Sequence, residues 1–96
     1  MNNVTTNTSV DILRALADEV RLGMVKKIAK EMSAVSSCDV VASCESLTKL
    51  SQPTLSHHFA KLVDAGIIIQ RKSGTQNVYE FNAELLMRSG IDINKL

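Results

Sequence analysis

The sequence has no tryptophan, one tyrosine and two phenylalanines, so its interior cannot be built on aromatic rings. The core must come from Ile, Leu, Val, Met and Ala; apolar residues make up 45% of the 96 residues, a globular rather than a disordered proportion. Cysteine is scarce, with only Cys38 and Cys44. There is no secretory signal and no apolar run long enough to span a membrane, so a cytoplasmic location with free thiols is expected. Also missing are a Gly-rich phosphate loop, a zinc-protease motif and a nucleophile–base constellation, so neither enzymatic activity nor a cofactor is expected. Charge of one sign is not in excess: the net charge is +1. Its distribution is uneven, because residues 1–45 carry five Lys/Arg against six Asp/Glu, whereas residues 46–80 carry four against two and hold both histidines.

The segment SQPTLSHHFAKLVDAG at residues 51–66 stands out. At 100° per residue, Leu55, Phe59, Leu62 and Val63 gather on one side of a helix, and Thr54, His57, Lys61 and Asp64 on the other. Ordinary solvent-facing helices are rich in long Glu and Lys. The short Gln, Thr, Ser and His side chains here let a helix approach another surface closely, and they can contact base edges and phosphates. Ser51 suits the cap, Pro53 the first turn and Gly66 the C-terminal cap. Two β-branched or alternating stretches, residues 67–72 and 78–82, flank a turn at residues 73–77 and predict a hairpin with Arg71 and Lys72 near its tip.

Upstream, Ser9 is a plausible cap for a first helix to Ala17 with a stripe of Val10, Leu13, Leu16 and Ala17. Asp18 caps a second helix to about Met32, with Val25, Ile28, Ala29 and Met32 buried. Residues 33–37 are Ser-rich and break the pattern, and a short third helix is expected over residues 44–50. Residues 83–90 predict a last short helix, and the tail after it can pack or fray. The expected fold is mainly α with a β-hairpin wing, a winged helix-turn-helix of order α-α-α-α-β-β-α. Residues 1–8 are expected to form a flexible tail and residues 9–96 the single domain.

Two segments resemble the ArsR/SmtB family of small winged-helix bacterial repressors. LADEVRL at residues 16–22 is similar to the family's LADPTRLRIL junction, and residues 51–67 to its SQPTVSHHLKVLREAGLV reading helix. With the hairpin, the resemblance covers about residues 10–90. It implies a homodimer, joined through the first and last helices, that binds a pseudo-palindromic double-stranded DNA operator and represses transcription. It does not name an effector. The family's metal-sensing sites use a Cys-x-Cys in the third helix, or Asp-x-His and a later His in the last helix. Here Cys38 and Cys44 have five residues between them and residues 83–96 contain no histidine, so that role does not carry over.

Each candidate also has a plainer reading. His57 and His58 point about 100° apart on a helix and do not make a chelating pair. His57 is either a surface histidine or a base or phosphate contact, the latter favoured; His58 is nearer the apolar side and reads as structural. Gln52, Thr54 and Ser56 suit capping as well as base contact, and the two uses can coexist. Lys49, Lys61, Arg71 and Lys72 can be solvated charges, but a common location near one face favours phosphate contact. Cys38 and Cys44 read first as small, inert hydrophobes, then as a thiol switch, and last as a metal or arsenite site that lacks a ligand. The resulting expectation is a sequence-specific repressor. The helix at 51–65 enters the major groove, where Gln52, Thr54, Ser56 and His57 read bases or fix register. Lys49 and Lys61 meet phosphates. The wing at 67–82, with Arg71, Lys72, Thr75 and Gln76, follows the backbone or the adjacent minor groove. Two alternatives stay open: a winged-helix protein-interaction module without DNA affinity, and a thiol- or metal-responsive sensor using Cys38 and Cys44.

Overall fold

A computed structural model describes residues 9–31 and 33–96. The expected flexible tail at residues 1–8 and the expected burial of Met32 lie outside the described residues. The elements are α1 (Ser9–Leu16), α2 (Glu19–Ala29), β1 (Val35–Ser36), α3 (Ser37–Ser43), α4 (Glu45–Thr48), α5 (Gln52–Asp64), β2 (Ile68–Ser73), β3 (Gln76–Phe81), α6 (Ala83–Arg88) and a final 3-10 turn (Ile93–Lys95). The helical core with its antiparallel hairpin is the winged helix-turn-helix expected from the sequence, with additional elements between α2 and α4.

Helix α1 is rotated relative to the expected stripe. Ile12, Ala15 and Leu16 are buried, whereas Val10 and Leu13 are 56% and 49% exposed and Ala17 is exposed. The helix has apolar residues on both flanks, so periodicity alone cannot choose which flank faces inward. Ser9, expected as the cap, is the first helical residue. Asp18 does cap α2, its carboxylate accepting the Arg21 backbone N–H at 3.0 Å. Below the cap, Met24, Val25 and Ile28 are buried and Ala29 is partly buried against them.

The Ser-rich break hides two elements. Val35 and Ser36 form an edge strand antiparallel to β3, in register Val35↔Tyr79 and Ser36↔Val78. The Ser36 hydroxyl then accepts the Asp39 N–H at 3.1 Å and starts α3, whose inward residue is Val40. The expected single helix at 44–50 is only the four-residue α4, burying Leu47; Cys44, in an extended conformation, separates it from α3. One buried residue per element is too little for a period to show in the sequence.

Helix α5 follows the sequence closely. Ser51 caps it, accepting the Thr54 N–H at 3.4 Å, and Pro53 occupies the first turn, where no N–H is needed. Leu55, Phe59 and Leu62 are buried. The helix ends in a Schellman motif: Gly66 has φ 81°, its N–H donates to the Val63 carbonyl at 2.9 Å, and Ile67 N–H donates to the Leu62 carbonyl at 3.1 Å. This closure turns the chain directly into β2. The register Ser73↔Gln76 leaves a two-residue loop, shorter than the expected turn at 73–77. Gly74 has φ 65° and Thr75 is not left-handed, the pattern of a type II′ hairpin turn. Asn82 ties the returning strand to the end of α5, its Nδ2 donating to the Gly66 carbonyl at 2.9 Å while its Oδ1 caps α6. The tail packs: Ile93 is buried, and Lys26 Nζ donates to the Leu96 carbonyl at 2.7 Å.

Replacing Gly66 with Ala forces a side chain into left-handed backbone. The expected loss is about 1–2 kcal/mol of unfolding free energy, read as a lowered midpoint in urea with an unchanged slope.

Candidate nucleic-acid interface

The outer surface of α5 is set by which flank the core takes. With Leu55, Phe59 and Leu62 inward, His57 and Asp64 project furthest outward, Thr54 and Lys61 lie to one side, and Gln52, Ser56 and Ala60 to the other. All of these are exposed. Thr54 is partly engaged in its own cap: the Ser51 hydroxyl donates to Thr54 Oγ1 at 2.9 Å, which leaves the Thr54 hydroxyl hydrogen available outward.

The two sides of α5 face different neighbours. Lys61 and Asp64, with Asp11, Arg14 and Arg21 of α1 and α2, line a charged recess of about 520 Å³. Gln52, Ser56 and Ala60 face the wing across a groove of about 260 Å³ that also takes in Ser37, Gln70 and Asn77. Leu55, Phe59 and Tyr79, all buried, close its inner side, and the Phe59 and Tyr79 rings stack at 4.4 Å between centroids.

Arg21 sets how α5 leans on the other helices. Its Nε donates to the Ala15 carbonyl at 2.6 Å and its Nη1 lies 3.7 Å from the Asp18 carboxylate. The same Nη1 meets His58 Nδ1 at 3.3 Å. His58 thus has the structural contact to a neighbouring helix that its position suggested. The Arg21 N–H on its carboxylate is the main reason that Asp18 titrates below the usual Asp range, with the guanidinium charge adding to it.

The wing divides the basic candidates. Successive strand residues point to opposite faces, so Arg71 and Lys72 do not share one, contrary to the expectation of a common face. Lys72 lies on the face of Gln70, Asn77 and Tyr79, beside the groove. Arg71 lies on the other, 3.4 Å from Glu80 diagonally across the hairpin. Lys49, Lys61 and Lys72 make no ion pair among the described residues. Thr75 and Gln76 are exposed at the tip.

Cys38 is exposed at the start of α3 and Cys44 is half-buried at its end. Five residues of α3 stand between them, so that six steps of helical rise set their Cα atoms about 9 Å apart along the axis, beyond disulfide reach while α3 is formed. Among the described residues no three His, Cys, Asp or Glu side chains gather as a metal site, and no helix is long and apolar enough to cross a membrane. Ser37, Gln70 and Tyr79 were not singled out from the sequence. For Gln70 and Tyr79 the signal was there in the strand alternation, once the hairpin loop is known to be two residues long.

Fold and exposed helix together define a winged helix-turn-helix protein. The family described as "Bacterial regulatory protein, arsR family" matches residues 18–70. The arsenical resistance operon repressor of Staphylococcus xylosus is 38% identical over 77 residues, covering 78% of this chain and 66% of its own length. This chain therefore spans just under two thirds of that relative. An ArsR-like transcriptional regulator from Rhodococcus sp. RHA1 shares the fold with TM-score 0.69 at 17% identity, covering 85% of this chain and 72% of its own. Reduced HlyU from Vibrio cholerae N16961 superposes with TM-score 0.65 at 26% identity, over 84% and 80%. The chain belongs to the arsR family of bacterial regulatory proteins, a family of transcriptional regulators rather than enzymes.

Because Asp18 is held below its ordinary value, its contribution is present above about pH 4 and is lost as pH falls through its folded-state value. Asn caps a helix comparably without a charge. Melting curves should therefore show the native protein above Asp18→Asn at pH 6, with the gap closing by about pH 2; a gap independent of pH would remove the role assigned to the carboxylate.

Proposed function

We propose that the protein is a homodimeric repressor that binds an inverted-repeat operator, with α5 in the major groove and the wing along the adjacent minor groove. The observation that carries this reading is the outer surface of α5. Thr54, His57 and Lys61 are exposed, Gln52 and Ser56 flank them, and no large apolar residue interrupts the surface. Short hydrogen-bonding side chains on a projecting helix suit base edges, and Lys49, Lys61 and Lys72, without an ion pair among the described residues, suit phosphates. Repression rather than activation is supported by the Staphylococcus xylosus relative, an arsenical resistance operon repressor.

Two copies are supported by α1. Val10, Leu13 and Ala17 recur at the spacing of one helix flank and are left uncovered, and Met87 of α6 is 77% exposed. A second copy seated on α1 and α6 would cover apolar surface, and binding to successive major grooves would require the two reading helices about 34 Å apart, one turn of DNA. The second copy would also double a basic excess that is weak in one chain.

A duplex recovered by selection from random DNA provides the probe for band shifts at several salt concentrations. Lys61→Ala should weaken binding to every sequence and flatten the salt slope by about one unit. Arg71→Ala should flatten it less, because Glu80 already offsets that charge. His57→Ala should instead lose discrimination at one base pair, by about 1–3 kcal/mol. Unchanged affinity in all three would displace α5 from the groove.

Leu13→Glu places a charge in the α1 stripe. Sedimentation should show a monomer where the native protein is a dimer, with folding retained. A native protein that sediments as a monomer at band-shift concentrations would end the two-copy reading.

A further inference from the structure

We infer that the groove between α5 and the wing is a seat for one phosphodiester of the DNA backbone, held by neutral donors rather than by cations. This rests on the placement of α5 and the wing proposed above. A helix in a major groove and a hairpin over the neighbouring minor groove straddle the sugar–phosphate strand that divides the two. That strand has to pass between them, and what lies between them here is the groove of about 260 Å³.

The rim of this groove consists of Ser37, Gln52, Ser56, Gln70 and Asn77, all able to donate hydrogen bonds and none charged. Gln70 Nε2 donates to Asn77 Oδ1 at 3.4 Å, so the Asn77 amide is turned with its Nδ2 hydrogens free. The second observation lies beneath the rim. Tyr79 is 3% exposed and lines the groove, and its hydroxyl has no hydrogen-bond partner among the described residues. A polar group left without a partner in a buried side chain is destabilising, and phenylalanine would keep the stack on Phe59 without that cost. A phosphate oxygen reaching into the groove supplies the missing acceptor. Burial raises the Tyr79 pKa, so the phenol keeps the proton that such a bond requires.

Neutral donors have a distinct thermodynamic signature. They add affinity without neutralising a charge, so they release no counterion and leave the salt slope alone. They contact no base, so they add equally to all sequences.

The test uses the full chain, the selected duplex and an unrelated duplex of the same length. Tyr79→Phe should weaken binding to both by about tenfold, the worth of one hydrogen bond to a charged acceptor. Its salt slope should match the native protein, and its melting temperature should be no lower. Asn77→Ala should behave alike. Methylphosphonate replaced one position at a time should then find a phosphate whose neutralisation weakens Tyr79→Phe less than it weakens the native protein. Native DNA binding with Tyr79→Phe equally tight at every salt concentration overturns this assignment and leaves the reading of α5 standing. A Tyr79→Phe loss confined to one base pair overturns it too. No binding of either duplex by the native protein overturns both.

Discussion

Arg21 is the point on which the placement of α5 depends. Its guanidinium bonds the Ala15 carbonyl near the end of α1, lies beside the Asp18 cap of α2 and meets His58 in the middle of α5. Three helices thus share one side chain at their crossing. The apolar contacts of Ile12, Val25, Phe59 and Leu62 supply the drive to pack, but they are non-directional. The polar contacts fix the rotation, because a guanidinium fork has a set geometry. With His58 turned toward Arg21, its neighbour His57 is carried about 100° around the helix to the outer surface.

The legible parts of the chain were those where local chemistry and tertiary demand agree. Residues 51–66 combine a cap, a first-turn proline, a clear apolar side and a closing glycine, and the structure uses all four. The hairpin was legible too, but with a longer turn than the two-residue loop that forms. The parts that could not be read lack redundancy. Residues 33–43 carry only Val35 and Val40 as buried anchors among serines, so a strand and a helix pass as a polar break. α1 failed for the opposite reason: it has apolar residues to spare, and only its contact with α2 and α5 decides that Ile12 faces in and Leu13 faces out.

The candidate interface shows the same division. That Thr54, His57 and Lys61 lie outside the core follows from the helical period alone. How they group does not, because grouping depends on what stands beside α5. The wing gives Gln52 and Ser56 amide and hydroxyl neighbours, whereas α1 and α2 give Lys61 one carboxylate and two guanidinium groups. The pairing of Arg71 with Glu80 depends on a register offset across the hairpin, which no reading of one strand contains.

The contact between Arg21 and His58 also bears on hydrogen placement. A guanidinium offers N–H groups and no lone pair. For the 3.3 Å contact to act as a hydrogen bond, the ring has to accept at Nδ1, which is the tautomer with its hydrogen on Nε2. The ring is thereby a one-sided element: Nδ1 is spent on the inside of the helix crossing, and a single Nε2–H remains to donate to whatever else comes near.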